Sequence, residues 1–308
     1  MNTENTVKQQ ITEVFMIRPA TFFPNPETLS DNSFQFHKKS KVNKAVLTKK
    51  AQLEFDNFVK LLRQSGITVH VHKDPNKPPL PDSIFPNNWF STHQGGVVII
   101  YPMKSPLRRK EKHPTLVTLI KEKYPLIYDW SDWEIRNQFL EGTGSLVLDR
   151  ANKVVYSSVS TRTSEFLLEK WIKEFGYRSV LFKSVDKKGK PVFHTNIVLS
   201  VGTKFTIVCM SAIPEKKHRK ELSEMFKSTN KEIIEISKDQ MYAFCGNILE
   251  LTNQAGEQLI IMSTHAWESF TKEQQDKLQT FGKILHSPLD TIETYGGGGA
   301  RCMIAELV

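Results

Sequence analysis

The stretch Tyr295-Gly-Gly-Gly-Gly-Ala-Arg-Cys302 places four glycines and an arginine directly before a cysteine. Four consecutive glycines lose much backbone entropy on ordering, so in a folded segment they indicate special backbone angles or a close approach to another group. The apolar residues 303–308 follow and predict a strand. A cysteine at such a junction, beside a cation, is a candidate low-pKa nucleophile. A buried structural cysteine after a flexible glycine segment explains this stretch alone equally well.

The cysteine belongs to a series of equivalent positions. Four segments that begin near residues 83, 139, 192 and 244 each read as strand, hairpin, strand, helix and strand. The polar residues at the heads of these units, with the cysteine at the head of a fifth, are Asn88, Glu141, His194, Asn247 and Cys302. The spacings are 53, 53, 53 and 55 residues. A period near fifty with a recurring unit indicates a repeat architecture.

The N-terminal part of the chain can complete the fifth unit. A strand predicted over 14–17 can pair with 303–307, while a helix over 42–64 and a strand over 67–71 supply the rest. The sequence therefore predicts an α/β fold in one domain over residues 1–308: a five-bladed α/β propeller of pseudo-five-fold ββαβ repeats, closed into a ring. The remaining helices are predicted over 109–124, 164–175, 215–227 and 268–281.

Composition restricts the class of protein. Hydrophobic residues make up 39% and charged residues 24% of the chain, as in globular proteins. No apolar run approaches a membrane span, and residues 1–8 lack signal-peptide features, so we expect a cytoplasmic location and no membrane partner. Three cysteines without a CxxC pair argue against a disulfide framework and a zinc site. The net charge of +9 is spread over predicted helices, so we expect no nucleic-acid partner; homodimerisation is left open.

Three of the five equivalent residues have complementary chemistry. Cys302, His194 and Glu141 supply a nucleophile, a proton shuttle and an orienting acid. Singly, Glu141 could cap a turn, His194 could be a core histidine, and Asn88 and Asn247 could be ordinary turn residues. Their shared offset within the repeat makes coincidence the weaker explanation.

Five ordered motifs carry a resemblance to a known family. They are Phe85-Pro-Asn-Asn-Trp89, Leu140-Glu-Gly-Thr-Gly144, Ser160-Thr-Arg-Thr-Ser164, His194-Thr-Asn196 and Gly296-Gly-Gly-Gly-Ala-Arg-Cys302. In these motifs the chain resembles the guanidine-modifying enzyme superfamily, the penteins, which includes arginine deiminases, dimethylarginine hydrolases and amidinotransferases. It is most similar to the branch of arginine-deiminase-related proteins and citrulline hydrolases.

The resemblance implies roles for individual residues. It implies that Cys302 attacks the central carbon of a guanidino or ureido group, that His194 transfers protons, and that Glu141 orients His194. It assigns Arg162 to the substrate's carboxylate and places Arg301 beside the thiolate. It implies neither a metal nor an organic cofactor.

Two departures from the family pattern bear on the substrate. Arginine deiminases typically hold the cationic guanidinium with two aspartates, and this chain has Asn88 and Asn196 at those places. An asparagine offers a donor and an acceptor without charge, which suits a neutral ureido group. We therefore expect hydrolysis of citrulline to ornithine, carbon dioxide and ammonia. Asn247 is a further candidate for substrate binding.

Three other functions are compatible with these features. Arginine deiminase or dihydrolase activity is the nearest, and amidino transfer to an amine acceptor is another. A non-catalytic propeller that binds ribosomes belongs to a different class, and the charge of +9 fits it. The set of Cys302, His194 and Glu141 does not, because a binding module has no use for it.

Overall fold

The computed structural model describes residues 11–35, 43–75 and 78–308. Residues 1–8 and the predicted helix start at residue 42 lie outside these ranges. The strands of the described residues, in chain order, are β1 (Glu13–Arg18), β2 (Thr68–Lys73), β3 (Phe90–His93), β4 (Val97–Ile100), β5 (Leu126–Asp129), β6 (Val147–Asp149), β7 (Val154–Ser158), β8 (Arg178–Phe182), β9 (Leu199–Val201), β10 (Phe205–Val208), β11 (Glu232–Glu235), β12 (Leu249–Thr252), β13 (Gln258–Ser263), β14 (Lys283–Ser287) and β15 (Ala305–Leu307).

Helices connect the strands. The α-helices are α1 (Lys44–Gln64), α2 (Pro106–Arg109), α3 (Pro114–Lys123), α4 (Gly142–Ser145), α5 (Glu165–Phe175), α6 (Thr195–Val198), α7 (Lys216–Ser228), α8 (Lys238–Tyr242), α9 (Thr264–Ser269), α10 (Lys272–Gln279) and α11 (Asp290–Gly296). Turns of 3₁₀-helix cover Pro86–Asn88, Ser131–Arg136, Met210–Ala212 and Ala300–Met303. Within the described ranges, no helix is both long and apolar enough to span a membrane.

The strands form five three-stranded sheets with one shared topology. Their orders are β3-β4-β5, β6-β7-β8, β9-β10-β11, β12-β13-β14 and β15-β1-β2. In each sheet the first strand is antiparallel to the second, and the second is parallel to the third. The predicted α/β class and five-fold repetition of the unit are confirmed.

The two ends of the chain meet in one sheet, as the sequence predicts. Strand β1 pairs with β15 in an antiparallel register that places Val14 opposite Glu306 and Phe15 opposite Ala305. On its other side β1 runs parallel to β2. The C-terminal strand that follows Cys302 is therefore held by residues nearly 300 positions away, which pair one of its two edges.

Apolar clusters connect each unit to the next. One cluster joins Phe15 to Trp89, a second joins Tyr101 to Leu167, and a third runs from Tyr156 through the units of β10 and β13. The last joins Leu259 of the fourth unit to Phe55 of α1, in the fifth. Each sheet therefore buries apolar surface against its neighbours in chain order, and the fifth unit contacts both the fourth and the first.

Two predicted helices begin later than expected, each after a short separate helix. The helix predicted over 109–124 begins at Pro114 because His113, which precedes it, is extended and caps α3, while the short helix α2 ends at Arg109. The helix predicted over 268–281 is α9 and α10, with Phe270 extended between them. A capping box between Thr271 and Gln274 starts α10. In α1, the predicted apolar positions Val46 and Leu53 are exposed.

The predicted first strands of the units are shorter than expected. In place of one long strand, the second and third units begin with the helical turns α4 and α6 and only then enter β6 and β9. Gly142 has φ +43°, and a Cβ there would lie 2.4 Å from the carbonyl oxygen of Asn87. The backbones of neighbouring units therefore approach each other too closely for a side chain at this turn.

Candidate active site

Cys302 lies on the 3₁₀ turn Ala300–Met303 and is 3% exposed. The glycines before it are packed against other residues. Gly297 closes α11 with φ +67°, and a Cβ on Gly296 or Gly298 would lie 2.8 or 3.1 Å from the ring of Phe85. The glycine run therefore serves backbone geometry and close approach, as one of the two sequence interpretations predicts.

Two amide groups donate to the sulfur of Cys302. The Nδ2 atom of Asn247 lies 3.3 Å from Sγ, and that of Asn196 lies 3.6 Å from it. Burial raises the pKa of the Cys302 thiol, while the Asn247 hydrogen bond and the charge of Arg301 oppose this increase. Donors aimed at the sulfur stabilise its anionic form. The low thiol pKa that the sequence predicts is therefore wrong for the resting site, which holds a thiol and has groups in place for the thiolate.

His194 and Glu141 form a buried pair. The Nε2 atom of His194 lies 2.8 Å from Oε2 of Glu141, and each residue directly precedes a short helical turn, α6 or α4. Burial lowers the pKa of His194 to about 4 although Glu141 opposes it. Burial alone would raise the pKa of Glu141, but Arg162 and His194 bring it down to about 2. At neutral pH a neutral ring donates Nε2–H to a carboxylate, which leaves Nδ1 as a base.

The second glycine of the motif Glu141-Gly-Thr-Gly144 lies against the side chains of Asn88 and His194. A Cβ on Gly144 would lie 2.6 Å from Nδ2 of Asn88 and 2.7 Å from Nδ1 of His194. Real Cβ contacts are not this short, so any side chain here would displace one of the two groups. Glycine at this position therefore allows His194 and Asn88 to lie close together.

Cys302 and His194 line one cavity with a volume of about 20 Å³. Thirteen described residues line it: Thr28, Asn32, Asp82, Phe85, Asn88, Arg108, Arg162, Phe193, His194, Gly296, Gly297, Gly298 and Cys302. Glu141 lies behind His194. The three residues with complementary chemistry therefore meet, although 53 and 108 positions separate His194 from the other two.

The other predicted site residues take different places. Asn88 and Arg162 line the cavity with Cys302. Asn247 and Asn196 touch the sulfur, and Asn196 also lines a second cavity with Arg301 and Glu306.

Arg301 does not hold the thiolate by direct contact. Its guanidinium donates to the carbonyl oxygen of Ile304, at 2.8 Å, and to the carboxylate of Glu306. Its positive charge still favours the thiolate through space: burial raises the pKa of Cys302, and the charge of Arg301 lowers it. Arg301 therefore acts on the thiolate through space, and not by the direct contact that the sequence suggests.

Sequence reasoning missed Arg108 and Asp82. Arg108 is fully buried; it donates from Nη1 to Oδ1 of Asn88 at 2.7 Å and pairs with Glu111 at 2.9 Å. Asp82 is 4% exposed and accepts from Asn25, while its Oδ1 atom has no hydrogen-bond partner among the described residues. Asp82 lies on an irregular segment and Arg108 on the short helix α2, and neither segment has apolar periodicity. The one available signal is the position of Asp82, three residues before the Phe85-Pro-Asn-Asn-Trp89 motif.

Among the described residues, no group of three or more His, Cys, Asp or Glu side chains is arranged to hold a metal ion. A thiol, a neutral imidazole with a carboxylate behind it, and amide donors on the sulfur can together perform nucleophilic attack on an electrophilic carbon.

A family model described as N,N dimethylarginine dimethylhydrolase, eukaryotic, matches residues 18–308. No curated protein gave a significant match.

Solved structures share the fold. ArgZ, an arginine dihydrolase from the ornithine–ammonia cycle in cyanobacteria, is 16% identical, with 96% of this chain and 40% of that chain covered and a TM-score of 0.73. Its N-terminal domain bound to product is 15% identical, with 97% and 98% covered and a TM-score of 0.76. A mutant of the dimethylarginine hydrolase DDAH from Pseudomonas aeruginosa, complexed with citrulline, is 15% identical, with 97% and 100% covered and a TM-score of 0.68. The chain thus spans less than half the length of full-length ArgZ.

Proposed function

The chain belongs to the N,N-dimethylarginine dimethylhydrolase family of guanidine-modifying enzymes, hydrolases of non-peptide C–N bonds, and we propose that Cys302 is its nucleophile and citrulline its substrate. The observation that supports this most is the shared cavity of Cys302 and His194, with Glu141 bonded to His194 at 2.8 Å. We further propose that the five sheets are the blades of a single-domain five-bladed propeller, since each unit packs on the next and the fifth also packs on the first.

The first half of the proposed reaction forms a covalent intermediate. The neutral His194 ring takes the Cys302 proton, and the thiolate, which accepts hydrogen bonds from Asn247 and Asn196, attacks the ureido carbon. The bond from this carbon to its terminal nitrogen breaks, and the proton held by His194 leaves with ammonia. Glu141 stabilises the transient imidazolium. The product of this half is a thiocarbamate on Cys302.

Water completes the reaction. His194 removes a proton from water as the oxygen attacks the thiocarbamate carbon, and the C–S bond breaks to return the Cys302 sulfur. The released carbamate of ornithine loses carbon dioxide. Each turnover consumes one citrulline and one water and yields one ornithine, one carbon dioxide and one ammonia.

The fixed orientation of Asn88 supports a ureido substrate. The Oδ1 atom of Asn88 accepts from Arg108, at 2.7 Å, and its Nδ2 donates to Asn87, at 3.0 Å. Asn88 is therefore held in one orientation in the cavity wall and carries no charge. A guanidinium beside Asn88 would lie close to the guanidinium of Arg108 and be repelled by it, which disfavours a cationic group at this point.

Arginine is the second candidate, and Asp82 favours it. This carboxyl lines the cavity, and its Oδ1 atom has no hydrogen-bond partner among the described residues. Burial raises the pKa of Asp82, although Arg108 opposes the shift. A buried carboxylate oxygen of this kind can accept from a guanidinium, or from the α-ammonium that citrulline and arginine share. Deiminase and dihydrolase activities on arginine thus remain the rival to citrulline hydrolysis.

The test is ammonia and ornithine release from a panel of citrulline, arginine, agmatine, methylated arginines and succinylarginine. We expect citrulline to be used, and we expect Cys302→Ser to abolish turnover with an unchanged circular-dichroism spectrum, because a hydroxyl is a weaker nucleophile. Cys209→Ser is the matched control. Full activity of the Cys302→Ser variant would exclude the proposed nucleophile, and turnover of none of the panel would exclude the substrate class.

The remaining alternatives have less support. Family membership favours an enzyme over a ribosome-binding propeller. Amidino transfer needs an amine in place of water, and the panel detects it when an added amine, such as glycine, acquires the amidino group. Salt-dependent cosedimentation with ribosomes tests the non-catalytic alternative.

A further inference from the structure

The guanidinium of Arg162 already holds a carboxylate, that of Asp31. Its Nη2 atom bonds Oδ1 of Asp31, and its Nε lies 3.4 Å from Oδ2. Two further donors bind Oδ2: Nζ of Lys104 at 2.6 Å and the hydroxyl of Thr161 at 3.1 Å. One carboxylate thus receives bonds from three side chains, two of them cationic. This is the coordination expected for the carboxylate of a bound amino acid.

The charges of this cluster are already balanced. Arg162 also lies 3.6 Å from Oε2 of Glu141, and Arg108, which lies 3.9 Å from the same oxygen, is paired with Glu111 and Asp82. A substrate carboxylate added beside Asp31 would be a further anion beside cations that already face carboxylates in a mostly buried region, which is unfavourable. The substrate carboxylate and the Asp31 carboxylate therefore exclude one another at this position.

The small volume of the cavity also indicates that the substrate carboxylate and Asp31 cannot be bound together. The cavity beside Arg162 has a volume of about 20 Å³, which is room for about one water molecule and not for an amino acid. Glu141 cannot leave easily, because its side chain is 1% exposed and bonded to His194. Asp31 is 16% exposed and can turn outward to water.

Resting on the proposed function, we propose that Lys104 and Thr161 complete with Arg162 a subsite for the substrate's α-carboxylate, and that Asp31 occupies this subsite in the resting protein as an internal competitor. When the substrate carboxylate replaces Asp31, the same donors bind a group of the same charge and shape. Asp31 then raises the KM of carboxylate-bearing substrates and leaves the chemical step unchanged. A ligand without a carboxylate cannot replace Asp31, so the cluster also selects amino acids over simple amines.

The first test measures binding to the Cys302→Ala protein by calorimetry. Asp31→Asn removes the competing charge and keeps the side-chain shape, so we expect citrulline to bind about ten-fold more tightly. Lys104→Met should weaken citrulline binding by about as much. Neither change should affect 4-ureidobutylamine, which is citrulline without its carboxylate. Asp56→Asn, which breaks an exposed pair with Arg18, is the matched charge control and should have no effect. Equal or weaker citrulline binding after Asp31→Asn would overturn the proposal.

A second test is independent of the substrate. The rate at which iodoacetate alkylates Cys302, divided by the rate for neutral iodoacetamide, reports whether the cations of the subsite are available to an anion. We expect Asp31→Asn to raise this ratio about ten-fold, Lys104→Met to lower it, and Asp56→Asn to leave it unchanged. An unchanged ratio in the Asp31→Asn protein would overturn the role of Asp31 whatever the substrate. A raised ratio in a protein that binds no amino acid would instead contradict the proposed function alone.

Discussion

The Nε2 atom of His194 lies 2.8 Å from Oε2 of Glu141, and both side chains are buried. The two residues hold equivalent positions in neighbouring repeats, so the fold itself brings an imidazole and a carboxylate together. The carboxylate fixes the tautomer of the ring and stabilises the imidazolium when the ring takes a proton. Arg162 and Lys104 support the carboxylate, at 3.6 Å through the guanidinium and 3.0 Å through the backbone N–H.

Glu141→Gln should reduce kcat by at least about 10²-fold, because an amide cannot stabilise the imidazolium. KM should change less, since Glu141 lies behind His194 and away from the cavity. Steady-state kinetics with citrulline checks this, with Glu13→Gln, a change at a half-buried carboxylate on β1, as the control. A larger effect on KM than on kcat would mean that Glu141 serves binding instead.

His194 makes stability depend on pH. Its pKa is lowered by burial from 6.5 to about 4, so the unfolded chain binds a proton there at higher pH than the folded protein does. The free energy of unfolding should therefore fall as pH drops from about 6.5 to 4, by at most about 3 kcal/mol from this residue. Urea titrations over this range should show the slope, and His194→Asn should reduce it. An equal slope in both proteins would contradict the buried neutral ring.

Gly144→Ala should lower kcat by about ten-fold or more while the protein still folds, because the new methyl group would displace His194 or Asn88. Thermal unfolding and citrulline kinetics measured together separate the two effects. Gly189→Asn is the control: its site is open, and Asn tolerates φ +76° better than other residues do. Unchanged kinetics in Gly144→Ala would show that the contact does not fix the ring.

Arg162→Ala should raise KM for amino-acid substrates, since a desolvated pair with a carboxylate contributes on the order of 2–4 kcal/mol. Burial raises the pKa of Glu141 and the charge of Arg162 lowers it, so Arg162 helps to keep Glu141 ionised. The loss of Arg162 should therefore also reduce kcat, though by a smaller factor. The comparison of citrulline with 4-ureidobutylamine isolates the carboxylate contribution. If the native protein turns over both equally well, Arg162 has another role.

The repeat could be predicted from the sequence because its signals are periodic. The spacing of Glu141, His194 and Cys302 identified three residues that meet, and the lack of a fifth hairpin partner predicted the pairing of β1 with β15. The short turns before the first strands were missed, since Gly142 adopts a backbone angle that hydrophobic patterning does not report. Asp31 and Asp82 were missed because they lie on irregular segments that reach the site through tertiary contacts alone.

The helix boundaries were also only partly predicted. The breaks at Pro114 and at the Thr271 capping box were readable from local rules, but apolar periodicity outweighed them. The placement of Arg301 followed sequence adjacency to Cys302, and its bond to Glu306 depends on the turn between them.

The ratio of kcat/KM for citrulline to that for arginine, measured together with the products, tests the proposed function most directly. The site offers amide groups around Cys302 and an Asn88 already bonded to Arg108, so a neutral ureido group should be preferred to a guanidinium. We predict a ratio above one, with ornithine and ammonia formed from citrulline in equal amounts. A protein that prefers arginine and stops at citrulline would be a deiminase, and that result would contradict the assignment.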